Sequence, residues 1–122
     1  MLRWFSLVCR SFGPALAGLF WAVKTQRNVQ VHAIASAAVV VAGIGFGITN
    51  FEWCAVILAA GLVWAAELLN TAIEVLSDRV SSAREEAIRR VKDVAAAAVL
   101  MAALAASAVG LMVFFPRLLR LF

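Results

Sequence analysis

From Val31 to Thr49 the chain runs nineteen residues without a charged side chain, and from Val94 to Phe115 it runs twenty-two. A helix of that length just crosses about 30 Å of hydrocarbon. Between the two lies a third apolar run, Trp53 to Leu76, interrupted by Glu67, Asn70 and Glu74. Hydrophobic residues make up 65% of the 122 and charged residues 15%, against roughly 45–50% and 25% in globular proteins. A domain of this size buries only about two-thirds of its unfolded surface, so its own core cannot hide that many apolar side chains. A mean hydropathy of +0.97 names lipid as the missing solvent. The same balance excludes a soluble domain, a disordered chain and a coiled coil, and it argues against nucleic acid as the partner of the net charge of +4. Cys9 and Cys54 stand far apart and near opposite faces of the bilayer, which excludes a disulfide scaffold.

The expected fold is all-α: one integral-membrane domain over residues 1–122, with spans at about 31–49, 53–76 and 94–115. Asn50-Phe51-Glu52 reads as a tight outer turn, and Ser77 to Asp93 as a longer polar loop. Lysine and arginine placement orients the spans, because positive charge stays on the cytoplasmic side. Arg3, Arg10, Lys24 and Arg27 precede the first span, and Arg79, Arg84, Arg89, Arg90 and Lys92 fill the long loop. Only Arg117 and Arg120, in the tail, lie on the other side. The N-terminus is therefore expected in the cytoplasm and the C-terminus outside, with Phe51, Trp53, Phe114 and Phe115 in an outer aromatic belt. Arg117, so far from the inner face, is expected to matter little.

Residues 2–23 place Leu2, Phe5, Phe12, Leu16, Leu19, Phe20 and Val23 at roughly helical spacing, with Arg3 and Arg10 off that stripe. Such a pattern suits an amphipathic helix on the membrane surface, with Pro14 bending or breaking the run. Ala15-Leu16-Ala17 has the small-x-small form of a signal cleavage site, but Arg10 interrupts the apolar core that a signal needs. In the third span, Ala95, Ala98, Ala102, Ala105, Ala106 and Gly110 allow close helix approach.

Glu67, Asn70, Glu74 and Asp78 stand at i, i+3, i+7 and i+11. At about 100° per residue they share one side of the second span. A charged carboxylate at mid-membrane costs roughly 2.5–3.5 kcal/mol, so two in one span demand a reason. Helix–helix glue is the plain one; an ion or substrate site facing a bundle interior is the sharper one. Two carboxylates with an amide between them can hold a divalent cation through oxygen. Magnesium needs only one or two protein carboxylates when nucleotide phosphates complete its shell. Arg84, Arg89, Arg90 and Lys92 supply cations where such phosphates would arrive, and Lys92-Asp93 is expected to open the third span with anion-favouring amides. No glycine-rich phosphate loop is present.

The run Glu67-Leu68-Leu69-Asn70-Thr71-Ala72-Ile73-Glu74, followed by Asp78-Arg79 and by Lys92-Asp93-Val94-Ala95-Ala96-Ala97-Ala98-Val99, resembles the signature of the bacterial integral-membrane diacylglycerol kinases, a family that includes undecaprenol kinases. Ser11-Phe12, Gly18 and Arg27-Asn28-x-x-x-His32 extend the likeness over nearly the whole chain. The resemblance implies a three-span homotrimer of the bacterial inner membrane, with a cytoplasmic surface helix and composite active sites between subunits. It implies transfer of the γ-phosphate of ATP to a lipid hydroxyl, with Mg2+ required. By the same resemblance Glu67 takes the hydroxyl proton and, with Asn70, meets the lipid. Glu74 holds the metal, and Asn70, Glu74, Asp78, Lys92 and Asp93 line the nucleotide site.

One departure stands out. Many relatives have a metal-binding glutamate before the first span, and Gln26 occupies that place here, so the site holds its metal with fewer carboxylates or borrows Glu85 or Glu86. Asn28 and His32 are candidates without a settled role. The Arg27-Asn28-x-x-x-His32 block and the Phe51-Glu52-Trp53 turn lean toward undecaprenol as acceptor. A small proton-coupled transporter using an intramembrane glutamate is the rival from another class, and a pore-former is a third.

Overall fold

The computed structural model describes residues 2–80 and 85–122, with side chains from residue 6 onward. Arg84 and the side chains of Leu2, Arg3 and Phe5 therefore lie outside the described residues. The described residues form four helices and no strand: α1 (Leu2–Thr25), α2 (Arg27–Phe46), α3 (Asn50–Val80) and α4 (Glu86–Leu119). All four are long and apolar enough to cross a membrane, including Ser6–Thr25 of α1. The count of such helices is thus four, where three spans and a surface helix are expected from the sequence. Pro14 lies inside α1 without ending it, which leaves that apolar run uninterrupted. A proline in a helix removes one backbone hydrogen bond, a loss tolerated in membrane helices.

Helix ends also differ from expectation. Asn50-Phe51-Glu52 is the first turn of α3, not a loop. The connection before it is made by Gly47, which ends α2 in the left-handed region at φ 59°. Its N–H and that of Ile48 donate to the carbonyls of Ile44 and Gly43, and only glycine adopts this conformation routinely. Thr49 then caps α3. Its Oγ1 accepts from the Glu52 N–H at 3.2 Å while the Glu52 carboxylate accepts from the Thr49 N–H at 2.7 Å, the reciprocal pattern of a capping box. At the other end α3 runs on to Val80 and α4 already begins at Glu86. The expected loop of Ser77 to Asp93 shrinks accordingly, because Glu86 to Asp93 are good helix formers with an i,i+4 pair between Glu86 and Arg90 at 3.1 Å. Lys92 and Asp93 sit inside α4 and do not open it.

α3 and α4 form the main interface and run antiparallel. Buried positions on α3 recur every seven residues, at Val56, Val63, Asn70 and Ser77; on α4, Ala95 and Ala102 keep the same step. A seven-residue repeat keeps one seam of each helix facing the other, and the small α4 side chains let the backbones close up. An apolar cluster of Ile48, Val56 and Val113, with Val39, Phe46, Trp53, Val109 and Phe114 around it, closes one end. There the rings of Phe46 and Phe114 lie 6.2 Å apart. Trp53 and Phe114 thus turn partly into the protein, while Phe51 and Phe115 remain exposed as a belt would have them.

At that same end Arg117 reaches across to α3. Its two terminal nitrogens donate to the two Glu52 carboxylate oxygens at 2.8 Å each, and Nη1 also donates to the Val113 carbonyl. Arg117, expected to matter little to activity, has a structural part here. It closes a fork across the interface that no spacing along the chain reveals.

Large apolar side chains such as Ile34, Val41, Ile44, Leu58, Leu69, Val94, Leu104 and Met112 remain exposed on the outer faces. With four apolar helices, that exposure makes this a membrane protein.

Candidate functional site

The buried seam of α3 changes character halfway along. Val56 and Val63 give way to Glu67, Asn70, Thr71 and Ser77, each 5% exposed or less. Glu74 is half-buried and Asp78 is exposed, where α3 leaves the apolar zone. The expected polar row is present on one helix face. Thr71 and Ser77 belong to it too, and the same helical periodicity could have found them in the sequence.

Three contacts organise the row. Asn70 Nδ2 donates to Glu74 Oε1 at 3.0 Å, one turn down α3. That leaves the Asn70 Oδ1 acceptor buried without a hydrogen-bond partner among the described residues, which is costly unless a ligand completes it. Lys92 of α4 pairs with Asp78 of α3, bringing together the acid that ends the row and a cation that the sequence leaves fourteen positions away. His32 of α2 places Nε2 at 3.8 Å from Glu67 Oε2.

Two concavities flank the row. Between α3 and α4 an open groove of about 900 Å³ is lined by apolar side chains, with Asn70 and Arg90 as its polar members. A second cleft of about 370 Å³ is walled by α2, α3 and α4, with His32 in its lining. An apolar cavity with a few polar groups is the usual form of a small-molecule site.

The remaining candidates stand apart. Asn28 and Asp93 are exposed, and no contact joins them to the row. Gln26 breaks the helix between α1 and α2 in an extended conformation. Its Nε2 donates to Thr25 Oγ1 at 3.1 Å, so the amide oxygen is what it offers a cation. Glu86 is held by Arg90, and Glu85 is exposed. Among the described residues no three His, Cys, Asp or Glu side chains gather to hold a metal. Cys9 and Cys54 are free and exposed. Sequence reasoning missed the link between Trp64 Nε1 and Ser36 Oγ at 2.9 Å, which ties α2 to α3 one turn from His32.

The model of the prokaryotic diacylglycerol kinase family matches residues 13–114. An undecaprenol kinase of Bacillus subtilis is 36% identical over 109 residues, covering 89% of each chain. A diacylglycerol kinase of Synechocystis is 39% identical over 112 residues, covering 91% of this chain and 64% of its own. Nothing among these supports the transporter alternative. The acid-and-amide row of α3, its lysine partner on α4 and the match over most of the chain agree: this protein belongs to the prokaryotic diacylglycerol kinase family.

Proposed function

We propose that the protein is an ATP-dependent lipid kinase that transfers the γ-phosphate to the hydroxyl of a membrane lipid at the cytoplasmic face. Buried carboxylate and amide groups on α3, leading to a lysine–aspartate pair at the membrane's edge, carry this reading in a member of this family. Phosphoryl transfer asks a protein mainly for positioning and charge neutralisation, and this arrangement supplies both. Glu67 takes the hydroxyl proton as the lipid oxygen attacks the γ-phosphorus. The bond from that phosphorus to the bridging oxygen breaks, and ADP leaves with the electron pair. Lys92, with Asp78 and Asp93 beside the nucleotide, meets the phosphates from α4.

The donor set fits Mg2+. Glu74 and the orphaned Asn70 Oδ1 are hard oxygen ligands, and one carboxylate suffices when phosphates complete the shell. When bound, the cation would offset the phosphate charge that builds during transfer. The amide oxygen of Gln26 is a weaker candidate ligand.

Undecaprenol is the favoured acceptor and diacylglycerol the second. The undecaprenol kinase relative and this chain cover each other almost end to end, and the Arg27-Asn28-x-x-x-His32 block leans the same way. α1, the most amphipathic of the four helices, is proposed to lie along the cytoplasmic surface, leaving α2, α3 and α4 to span with the C-terminus outside. A homotrimer would cover part of the apolar surface and set the open α3–α4 groove against a neighbour. Purified protein given γ-labelled ATP and Mg2+ should label undecaprenol, and diacylglycerol more weakly. If it labels neither lipid, the function assigned here is wrong.

A further inference from the structure

Glu67 is 3% exposed, and a base held that deep needs something to aim it. We propose that His32 is a positioning residue for Glu67: its Nε2–H holds one carboxylate oxygen, and the other is left for the proton of the lipid hydroxyl. This rests on the lipid-kinase reading above and adds a residue to it.

Three observations carry the proposal. The first is proximity. His32 Nε2 lies 3.8 Å from Glu67 Oε2, with the two side chains 22% and 4% exposed. It is the one basic nitrogen within 4 Å of that carboxylate among the described residues. A gap of that size is too short for an intervening water. Hydrogen bonds used in catalysis are often long before substrate arrives.

The second is register. One turn further along both helices, Trp64 donates to Ser36 at 2.9 Å, and this link pins α2 against α3 in the alignment that sets His32 beside Glu67. The approach is thus held by the fold. The third is access. His32 lines the 370 Å³ cleft and Glu67 does not. Besides Trp53, the other polar side chains on that cleft are Ser36, which accepts from Trp64, and Ser107, which donates to the Ala103 carbonyl. The imidazole therefore lies between the cleft and the buried carboxylate. An imidazole N–H can donate to a carboxylate oxygen, and Nε2 is the ring nitrogen within reach of Glu67. The reaction balances as before: the hydroxyl proton goes to the free Glu67 oxygen, and ADP leaves as the new oxygen–phosphorus bond forms.

The test measures kcat and KM for ATP and lipid in purified His32→Ala, His32→Gln, His32→Asn and Glu67→Gln proteins. A glutamine amide N–H lies near where Nε2 stands, and that of asparagine near Nδ1. His32→Ala should lose about tenfold or more in kcat with KM for ATP unchanged, His32→Gln should return to within about threefold of the parent, and His32→Asn should stay low, as for a lost hydrogen bond to a charged group. Melting temperatures and oligomeric state should match the parent. If His32→Ala turns over normally while Glu67→Gln is inactive, the kinase reading stands and the role of His32 falls. Equal losses in alanine and glutamine variants, or losses that follow a lowered melting temperature, also overturn it. If Glu67→Gln itself turns over normally, the reading beneath this proposal fails first.

Discussion

Glu67, Asn70 and Glu74 each test a different part of the chemistry. Replacing Glu67 by glutamine keeps the shape and removes the base, so kcat should fall by about 10²-fold or more, with binding of a nucleotide analogue unchanged in a filtration assay. Glu74→Gln keeps an acceptor for Asn70 Nδ2 but removes charge, and the Mg2+ needed for half-maximal activity should rise. Lys92→Ala breaks the pair with Asp78 and should raise KM for ATP more than it lowers kcat. The acid row was legible in the sequence, because i, i+3, i+7 and i+11 fall on one helix face whatever surrounds the helix. The pairing of His32 with Glu67 was not, since it depends on how α2 registers against α3, and local spacing carries no such information.

At the scale of the helices, turn chemistry decides where the chain changes direction. Gly47 holds φ 59°, and Gly47→Ala should destabilise the α2–α3 hairpin by about 1 kcal/mol, the penalty for a side chain in the left-handed region. Gly43 is a packing glycine. A Cβ there would meet Cη2 and Cζ2 of Trp53 at 2.5 and 2.7 Å, so Gly43→Val should lower stability by about 1–3 kcal/mol, the range of overpacked cores. Thermal unfolding in detergent reads both. Apolar runs announced the helices because a helix satisfies its own backbone groups across hydrocarbon. Their ends were harder to read. Polar residues after Leu76 and before Val94 look like loop to a hydropathy reading, yet Glu, Arg and Lys extend a helix readily once it leaves the membrane. Of the two outcomes expected at Pro14, a bend or a break, the break does not occur, as one lost hydrogen bond does not end a helix.

Across the whole molecule, two ion pairs mark the two ends of the α3–α4 interface. Asp78 with Lys92 sits beside the acid row, and Glu52 with Arg117 forms the fork at the far end. Replacing Arg117 by alanine should lower the melting temperature, while the exchange Glu52→Arg with Arg117→Glu should recover part of the loss and leave KM for ATP unchanged. The central claim is that the polar seam of α3 is where phosphate moves to lipid. It is tested most directly by the single-turnover rate of lipid phosphorylation, with ATP and Mg2+ saturating, in parent, Glu67→Gln and Glu74→Gln proteins of equal melting temperature. Near-complete loss of transfer in both variants is the predicted result; parent-like rates in both would contradict it.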